Sequence, residues 1–247
     1  FTGVEWGEGY HQHPDELFLS GVLENMRAHT CKDPTLPVDA CPVEQQRWLT
    51  IGEYFDSAKS TLNPYNRGQA YFVYGTLPFF ITRIVAEATN TTGLADLKFF
   101  SRQFSALADI FTIFFLYFIV SRIYGRRVGW LAALFSALTV MQIQQSHFFT
   151  TDLFTNMFMF LALWFAVEIV NSPRSTVVER GLTISQYILR IIFHPLLLLS
   201  IGFGLALGMA MASKINAAAA ALLLPGAFAL RYLAVDRKPQ VVYSTES

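Results

Sequence analysis

The feature that most constrains this chain is a series of long apolar runs in its second half. They cover residues 103–120, 128–146, 148–170, 187–212 and 215–233. A membrane-spanning helix needs about 20 mostly apolar residues, and each run approaches or exceeds that length. Inside lipid the backbone polar groups must be paired within the segment, which a helix achieves. The sequence therefore predicts an all-α, polytopic transmembrane helix bundle of about five spans over residues 99–238.

The remainder of the chain has a different composition. Charged residues make up only 15% of the 247 residues, against about 25% in a typical soluble protein, and many lie in residues 1–69. We expect residues 1–69 to form a large outer loop with short amphipathic helices, and residues 70–98 an interfacial or re-entrant helix with a loop. Residues 239–247 would be a cytoplasmic tail. The net charge is zero, and no basic stripe suggests a nucleic-acid partner.

The start of the chain also carries an expectation. It begins with Phe1 and shows no signal-peptide pattern. We expect a fragment of a longer protein that lacks at least one preceding span and is inactive alone.

Basic residues between the spans predict the orientation. Arg122, Arg126 and Arg127 lie in one loop, Arg174 and Arg180 in another, and the end of the last span is basic again. Cytoplasmic loops carry an excess of Lys and Arg, so these three loops are predicted to face the cytoplasm. The polar groups at the opposite span ends then share the extracytoplasmic side.

The two cysteines, Cys31 and Cys41, both lie in the predicted outer loop. On an oxidising side of the membrane they could form a disulfide that closes a small loop. Two free thiols are the alternative. The spacing is not that of a zinc or redox CxxC motif.

Two acidic motifs fall at the predicted outer ends of helices. The first is His13-Pro14-Asp15-Glu16, where Pro14 would begin a helix and Asp15 would stay ionised in its first turn. The second runs from His147 to Asp152 in a short turn between spans. An ionised carboxylate can act as a general base. Ordinary acidic helix starts and helix caps would have the same residues.

Two basic residues lie on the same predicted side. Arg102 begins one span, and Lys214 follows a span containing Gly202, Gly204 and Gly208. Glycines inside an apolar span permit close helix packing, and this spacing is not that of a nucleotide-binding loop. Each of these basic side chains could bind a substrate phosphate, or it could extend to the lipid headgroups.

Taken together, these motifs resemble integral-membrane glycosyltransferases of the C-type fold. The similarity is to the group related to dolichyl-phosphate-mannose protein mannosyltransferases and bacterial aminoarabinose transferases. Four features carry it, in order along the chain: the Asp15-Glu16 motif, the Arg102-initiated span, the turn ending in Asp152, and the glycine-rich span ending in Lys214.

The resemblance implies sugar transfer from a polyprenyl-phosphate donor to a hydroxyl of an acceptor protein, lipid or glycan. Asp15 would be the general base, with support from Glu16 and His13. Asp152 would orient the acceptor or an electropositive partner in the cavity, with support from His147. Arg102 and Lys214 would bind the donor phosphate. The protein would lie in a membrane, expected to be a bacterial plasma membrane, with its site on the extracytoplasmic face.

No cofactor or obligatory metal is expected. The second motif has a single Asp where the metal-dependent branch of these enzymes has Asp-x-Asp, and His11, His13, Asp15 and Glu16 alone are a weak metal-binding pattern. Two other functions stay open. A secondary transporter would show broken helices and charges near the middle of the bilayer. A non-catalytic membrane scaffold would tolerate exchange of all these ionisable residues.

Overall fold

The computed structural model describes residues 13–172, 185 and 192–233. The predicted cytoplasmic residues Arg174 and Arg180, the terminal tail, His11 and the start of the predicted span 187–212 lie outside the described residues. Within the described part the chain is helical, apart from one small hairpin, which confirms the all-α class.

The outer segment begins with helix α1, Pro14–Asn25, followed by strands β1, His29–Cys31, and β2, Gln46–Trp48. Helix α2 covers Ile51–Phe55 and helix α3 covers Leu77–Ala88. Short 3₁₀ helices at Val38–Ala40, Val43–Gln45 and Pro64–Arg67 join these elements. The two strands pair antiparallel, with His29 opposite Trp48.

Helix α1 starts where the sequence predicts. Pro14 occupies its first turn, where a missing N–H group costs nothing. Asp15 and Glu16 follow in the same turn, where the helix dipole favours negative charge. Leu19, Leu23 and neighbouring residues are buried, so one face of α1 packs against the bundle.

A disulfide joins Cys31 and Cys41, whose Cα atoms are 5.6 Å apart. It settles the choice between a disulfide and free thiols. The bond holds the 3₁₀ turn Val38–Ala40 beside strand β1.

In the described part of the chain, the membrane-length helices are α4, Leu94–Tyr124, then α7, Thr151–Asn171, and α8, Pro195–Ser213, with a last segment over Ile215–Leu233. These four are long and apolar enough to cross a bilayer. The last segment is 3₁₀ over Ile215–Leu222 before it continues as helix α9, Leu223–Leu233.

The predicted span 128–146 is not one helix. The structure divides it into α5, Arg126–Ala137, and α6, Val140–Ser146. At the break, the Thr139 hydroxyl donates a hydrogen bond to the Phe135 carbonyl at 2.9 Å, and Ser136 donates one to Gln142 at 2.8 Å. Such local side-chain bonds compete with the helical pattern and bend helices. Together α5 and α6 still return the chain along α4.

The bundle has two distinct ends. At one end, the start of α4 meets α1 and the turn before α7, where Arg102 and Phe149 contact the same Glu16 side chain. At the other end, Arg122 pairs with Glu168 at 3.1 Å. There Arg231 also donates to the Ser172 hydroxyl at 2.7 Å. We call the first the acidic end and the second the basic end.

Candidate active site

The acidic end holds an open ion pair between two helix termini. The Lys214 Nζ atom lies 2.6 Å from Oδ1 of Asp152. Asp152 is in the first turn of α7, and Lys214 caps the end of α8, so each charge sits where its helix dipole favours it. Their side chains are 54% and 35% exposed, and a ligand can therefore reach both groups.

Tyr74 connects this pair with Asp15. Burial raises the pKa of the Tyr74 hydroxyl, and the nearby Asp15 carboxylate raises it further. Asp15 also forms a hydrogen bond with it, Asp152 adds to the effect, and Lys214 opposes it. Charges act on a pKa at short range. Asp15, Asp152 and Lys214, from three separate parts of the sequence, therefore surround one phenol group that stays protonated at neutral pH.

Gly75 explains why the Tyr74 loop lies here. Its N–H donates to the Ser213 carbonyl at 3.1 Å, which places the loop against the end of α8. A Cβ atom on Gly75 would come within 2.1 Å of the Ala212 carbonyl oxygen. Only glycine permits this approach, so Gly75 fixes the distance between Tyr74 and Lys214.

A second ion pair at this end is buried. Nε of Arg102 lies 2.6 Å from Oε1 of Glu16, and Nη2 lies 2.6 Å from Oε2. Glu16 also accepts a hydrogen bond from the backbone N–H of Phe149 at 3.0 Å. The two side chains are 1% and 3% exposed. This pair joins α1, α4 and the turn before α7.

Phe148 packs between two of the predicted site residues. Its ring centroid lies 5.2 Å from that of His13 and 5.6 Å from the Arg102 guanidinium carbon. The second contact has cation–π geometry. His13 has a buried Nδ1 atom with no hydrogen-bond partner among the described residues. His147, in contrast, directs Nδ1 toward the Ile143 carbonyl at 2.6 Å, at the end of α6.

Two hydroxyl groups beside Asp152 are buried without a partner in the described part of the chain. They belong to Thr150 and Thr151, which are 2% and 1% exposed. Buried hydroxyls are nearly always hydrogen-bonded, so such groups point to a partner that a ligand or water supplies.

The structure thus brings Asp15, Asp152 and Lys214 to one place, with His13 and the Glu16–Arg102 pair adjoining it. The Arg102 guanidinium group was predicted to bind the donor phosphate. In the structure it is paired with the Glu16 carboxylate. Tyr74, Gly75 and Phe148 were not predicted from the sequence as parts of the site. For Tyr74 and Gly75 the available signal was an aromatic–glycine pair just before the Pro78-containing helix.

No group of three or more His, Cys, Asp or Glu side chains that could hold a metal ion occurs among residues 13–172, 185 and 192–233. The acidic end brings together carboxylates, a phenol and an ammonium group.

A bundle with four membrane-length apolar helices defines an integral membrane protein. Residues 80–182 match the family model described as dolichyl-phosphate-mannose-protein mannosyltransferase. That match covers less than half of the 247 residues; it agrees with the resemblance seen in the sequence and supports a membrane glycosyltransferase in general terms. It covers Arg102, His147 and Asp152, but not Asp15 or Lys214. No curated protein and no solved structure matches the chain.

Proposed function

We propose that the chain transfers a sugar from a polyprenyl-phosphate donor to an acceptor hydroxyl, with Asp15 as the general base. The observation that carries this proposal is the convergence of Asp15, Asp152 and Lys214 around Tyr74. The family match supports a lipid-linked donor of this class.

The site is proposed to face the extracytoplasmic side. The opposite end of the bundle carries Arg122, Arg231 and the Arg126-Arg127 pair at the start of α5. Positive charge of this kind favours the cytoplasmic side. The disulfide between Cys31 and Cys41 supports the same orientation, because disulfides persist in oxidising compartments.

The proposed reaction is a single displacement. Asp15 removes the proton of the acceptor hydroxyl as its oxygen attacks the anomeric carbon of the sugar. The bond between that carbon and the phosphate oxygen breaks, and the polyprenyl phosphate leaves as an anion. A fixed positive charge at the leaving phosphate lowers the barrier, and Lys214 is placed to supply it.

The open ion pair suggests how Lys214 changes partner. Its ammonium group lies 2.6 Å from the Asp152 carboxylate. An arriving phosphate competes for the ammonium group and leaves Asp152 able to accept a hydrogen bond from the acceptor. A contact of Arg102 with the same phosphate requires the Glu16 pair to open. We therefore assign direct phosphate contact to Lys214 and support to Arg102.

The test is replacement of the proposed base in protein expressed in membranes. Asp15→Asn is expected to lower transfer from a polyprenyl-phosphate sugar by about 10²–10⁴-fold, the usual contribution of a general base. Membrane insertion and thermal stability should stay unchanged. Glu24→Gln, an exposed acid on the same helix, is the matched control and should keep full activity. A fully active Asp15→Asn protein would refute the assignment.

One observation favours a different function. Asp109 lies inside α4 and accepts a hydrogen bond from Gln142 of α6 at 2.6 Å. Asp109 is seven residues beyond Arg102, so it lies about 10 Å farther along the helix. A buried acid beside a broken helix is a feature of transporters. Substrate flux in proteoliposomes that Asp109→Asn abolishes, without sugar transfer by the unmodified protein, would favour transport.

A further inference from the structure

The outer segment contains a polar cavity that is separate from the acidic end. Its volume is about 450 Å³, within the range of small-molecule sites. Strands β1 and β2, the disulfide-bonded turn and the last turns of α3 surround it. None of Asp15, Asp152 or Lys214 lines it.

The lining of the cavity is rich in guanidinium groups. Arg27 and Arg83 both line it, and Arg67 lies close to Arg27. Burial and the neighbouring Arg83 lower the pKa of Arg27, and Arg67 adds to this effect although Asp39 and Glu87 oppose it. Like charges are therefore crowded in a half-buried place. An anion bound here would relieve that repulsion.

The two carboxylates that line the cavity, Glu87 and Asp39, are already engaged. Glu87 accepts hydrogen bonds from the Arg83 Nε at 2.6 Å, the Ala28 N–H at 2.9 Å and His29 at 2.6 Å. Despite burial, which acts in the opposite direction, these bonds hold the pKa of Glu87 below its usual value. Asp39 bridges Arg67 at 2.5 Å and Arg27 at 3.3 Å. Three guanidinium groups thus share two carboxylates, and their other hydrogen bonds go to backbone carbonyls of Leu23, Glu24, Asn25 and Met26.

The hairpin side of the cavity has a different chemistry, and the Arg47 cation there is already paired with Glu53 at 2.5 Å. Trp48, which is 52% exposed, presents an indole surface at the edge of the hairpin. Gln46, Asn90 and Thr92 add amide and hydroxyl groups around it. An aromatic surface packs against the C–H face of a sugar ring, while amides and hydroxyls pair with its hydroxyl groups. The guanidinium groups that line the same cavity suit a planar carboxylate.

We propose that this cavity binds a saccharide unit that carries a carboxylate, with its ring against Trp48 and its acid group toward Arg27. The cavity adjoins the end of α3, whereas Tyr74 and Gly75 immediately precede its start. The twelve residues of α3 separate the two places by about 18 Å. One oligosaccharide acceptor could then occupy both sites. This role as an acceptor site rests on the proposed function, whereas the binding of an acidic saccharide to the cavity does not.

The binding test compares three ligands by calorimetry on the detergent-solubilised protein. These are a glucuronate-containing disaccharide, the matching neutral glucose disaccharide and inorganic phosphate. The acidic disaccharide is expected to bind about tenfold more tightly than the neutral one, the value of one added charged hydrogen bond. Equal affinity for the two sugars, or equal affinity for phosphate and the acidic sugar, would overturn the proposal.

Variants locate the site. Trp48→Ala is expected to weaken both sugars about tenfold. Arg27→Gln is expected to remove the preference for the acidic sugar. Tyr71→Ala and Lys59→Gln change an exposed aromatic and an exposed cation outside the cavity and should leave affinity unchanged. Full affinity in folded Trp48→Ala protein, confirmed by an unchanged melting temperature, would refute the site.

A binding measurement on one further variant distinguishes failure of this proposal from failure of the proposed function. Asp15→Asn protein should keep the affinity of the unmodified protein for the acidic disaccharide, because Asp15 does not line the cavity. Loss of binding in Asp15→Asn would place the sugar at the acidic end instead. Retained binding in a protein with no transferase activity would leave the cavity standing and remove only the proposed function.

Discussion

Two ion pairs at the acidic end have the same charges but opposite surroundings. The Glu16–Arg102 pair is almost fully buried and doubly hydrogen-bonded, whereas the Asp152–Lys214 pair is exposed and makes one contact. A buried charge that loses its partner is strongly destabilising, while an exposed pair contributes little to stability. The first pair is therefore suited to hold the fold, and the second is suited to exchange partners with a ligand.

The largest effect is expected from breaking the buried pair. Glu16→Gln leaves the Arg102 charge without its carboxylate and should lower the free energy of unfolding by about 3–5 kcal/mol. Thermal denaturation in detergent measures this change. Asp152→Asn is the comparison and should cost no more than about 1 kcal/mol.

A double variant sharpens that result. Glu16→Leu with Arg102→Met replaces both charges by apolar groups and should recover much of the lost stability. Such a protein, if folded and fully active, would exclude any contact of Arg102 with the donor. Equal melting temperatures for Glu16→Gln and Asp152→Asn would contradict the difference between the two pairs.

The open pair should instead govern activity. Lys214→Gln is expected to lower transfer by about 10²-fold, the usual loss on removal of one charge-stabilising group. Its effect on stability should stay below about 1 kcal/mol. Kinetics with a lipid-phosphate sugar and a melting curve on the same sample check both statements. Lys59→Gln, an exposed lysine far along the outer segment, serves as the control.

Displacing the loop beside the open pair should have an intermediate effect on stability. Gly75→Ala inserts a methyl group against the Ala212 carbonyl, and overpacking of this kind costs about 1–3 kcal/mol. Because Tyr74 would move away from Lys214, transfer should fall as well. Gly204→Ala is the control, since a Cβ there meets no atom within 4 Å. Unchanged activity in Gly75→Ala would show that the loop position does not matter.

The smallest effect is expected from Tyr74→Phe, which keeps the ring and removes only the hydroxyl group. A neutral hydrogen bond is worth about 1 kcal/mol, so transfer should fall about fivefold. Steady-state kinetics measure this, with Tyr71→Phe as a matched control on an exposed ring. A loss as large as that of Asp15→Asn would instead place Tyr74 among the reacting groups.

Long apolar runs and helix-start signals are local, so the sequence could predict the membrane class, the start of α1 and the position of Asp15, Asp152 and Lys214 at one end of the bundle. The pairing of Glu16 with Arg102 could not be predicted from such local signals, because the two residues lie 86 positions apart. The break between α5 and α6 was also not predicted, because a hydropathy pattern records polarity but not the hydrogen bonds of Ser136 and Thr139. The need for glycine at position 75 was not predicted, because the Ala212 carbonyl oxygen that a side chain there would meet belongs to α8, far along the chain.

The final membrane segment has a further consequence. Its first eight residues, Ile215–Leu222, form a 3₁₀ helix, which rises about 2.0 Å per residue against about 1.5 Å in an α-helix. The tighter coil adds about 4 Å, so the nineteen residues extend to about 32 Å, close to the thickness of the hydrocarbon layer. The 3₁₀ turns of this alanine-rich stretch thus let a segment of nineteen residues reach a length that matches the hydrocarbon layer.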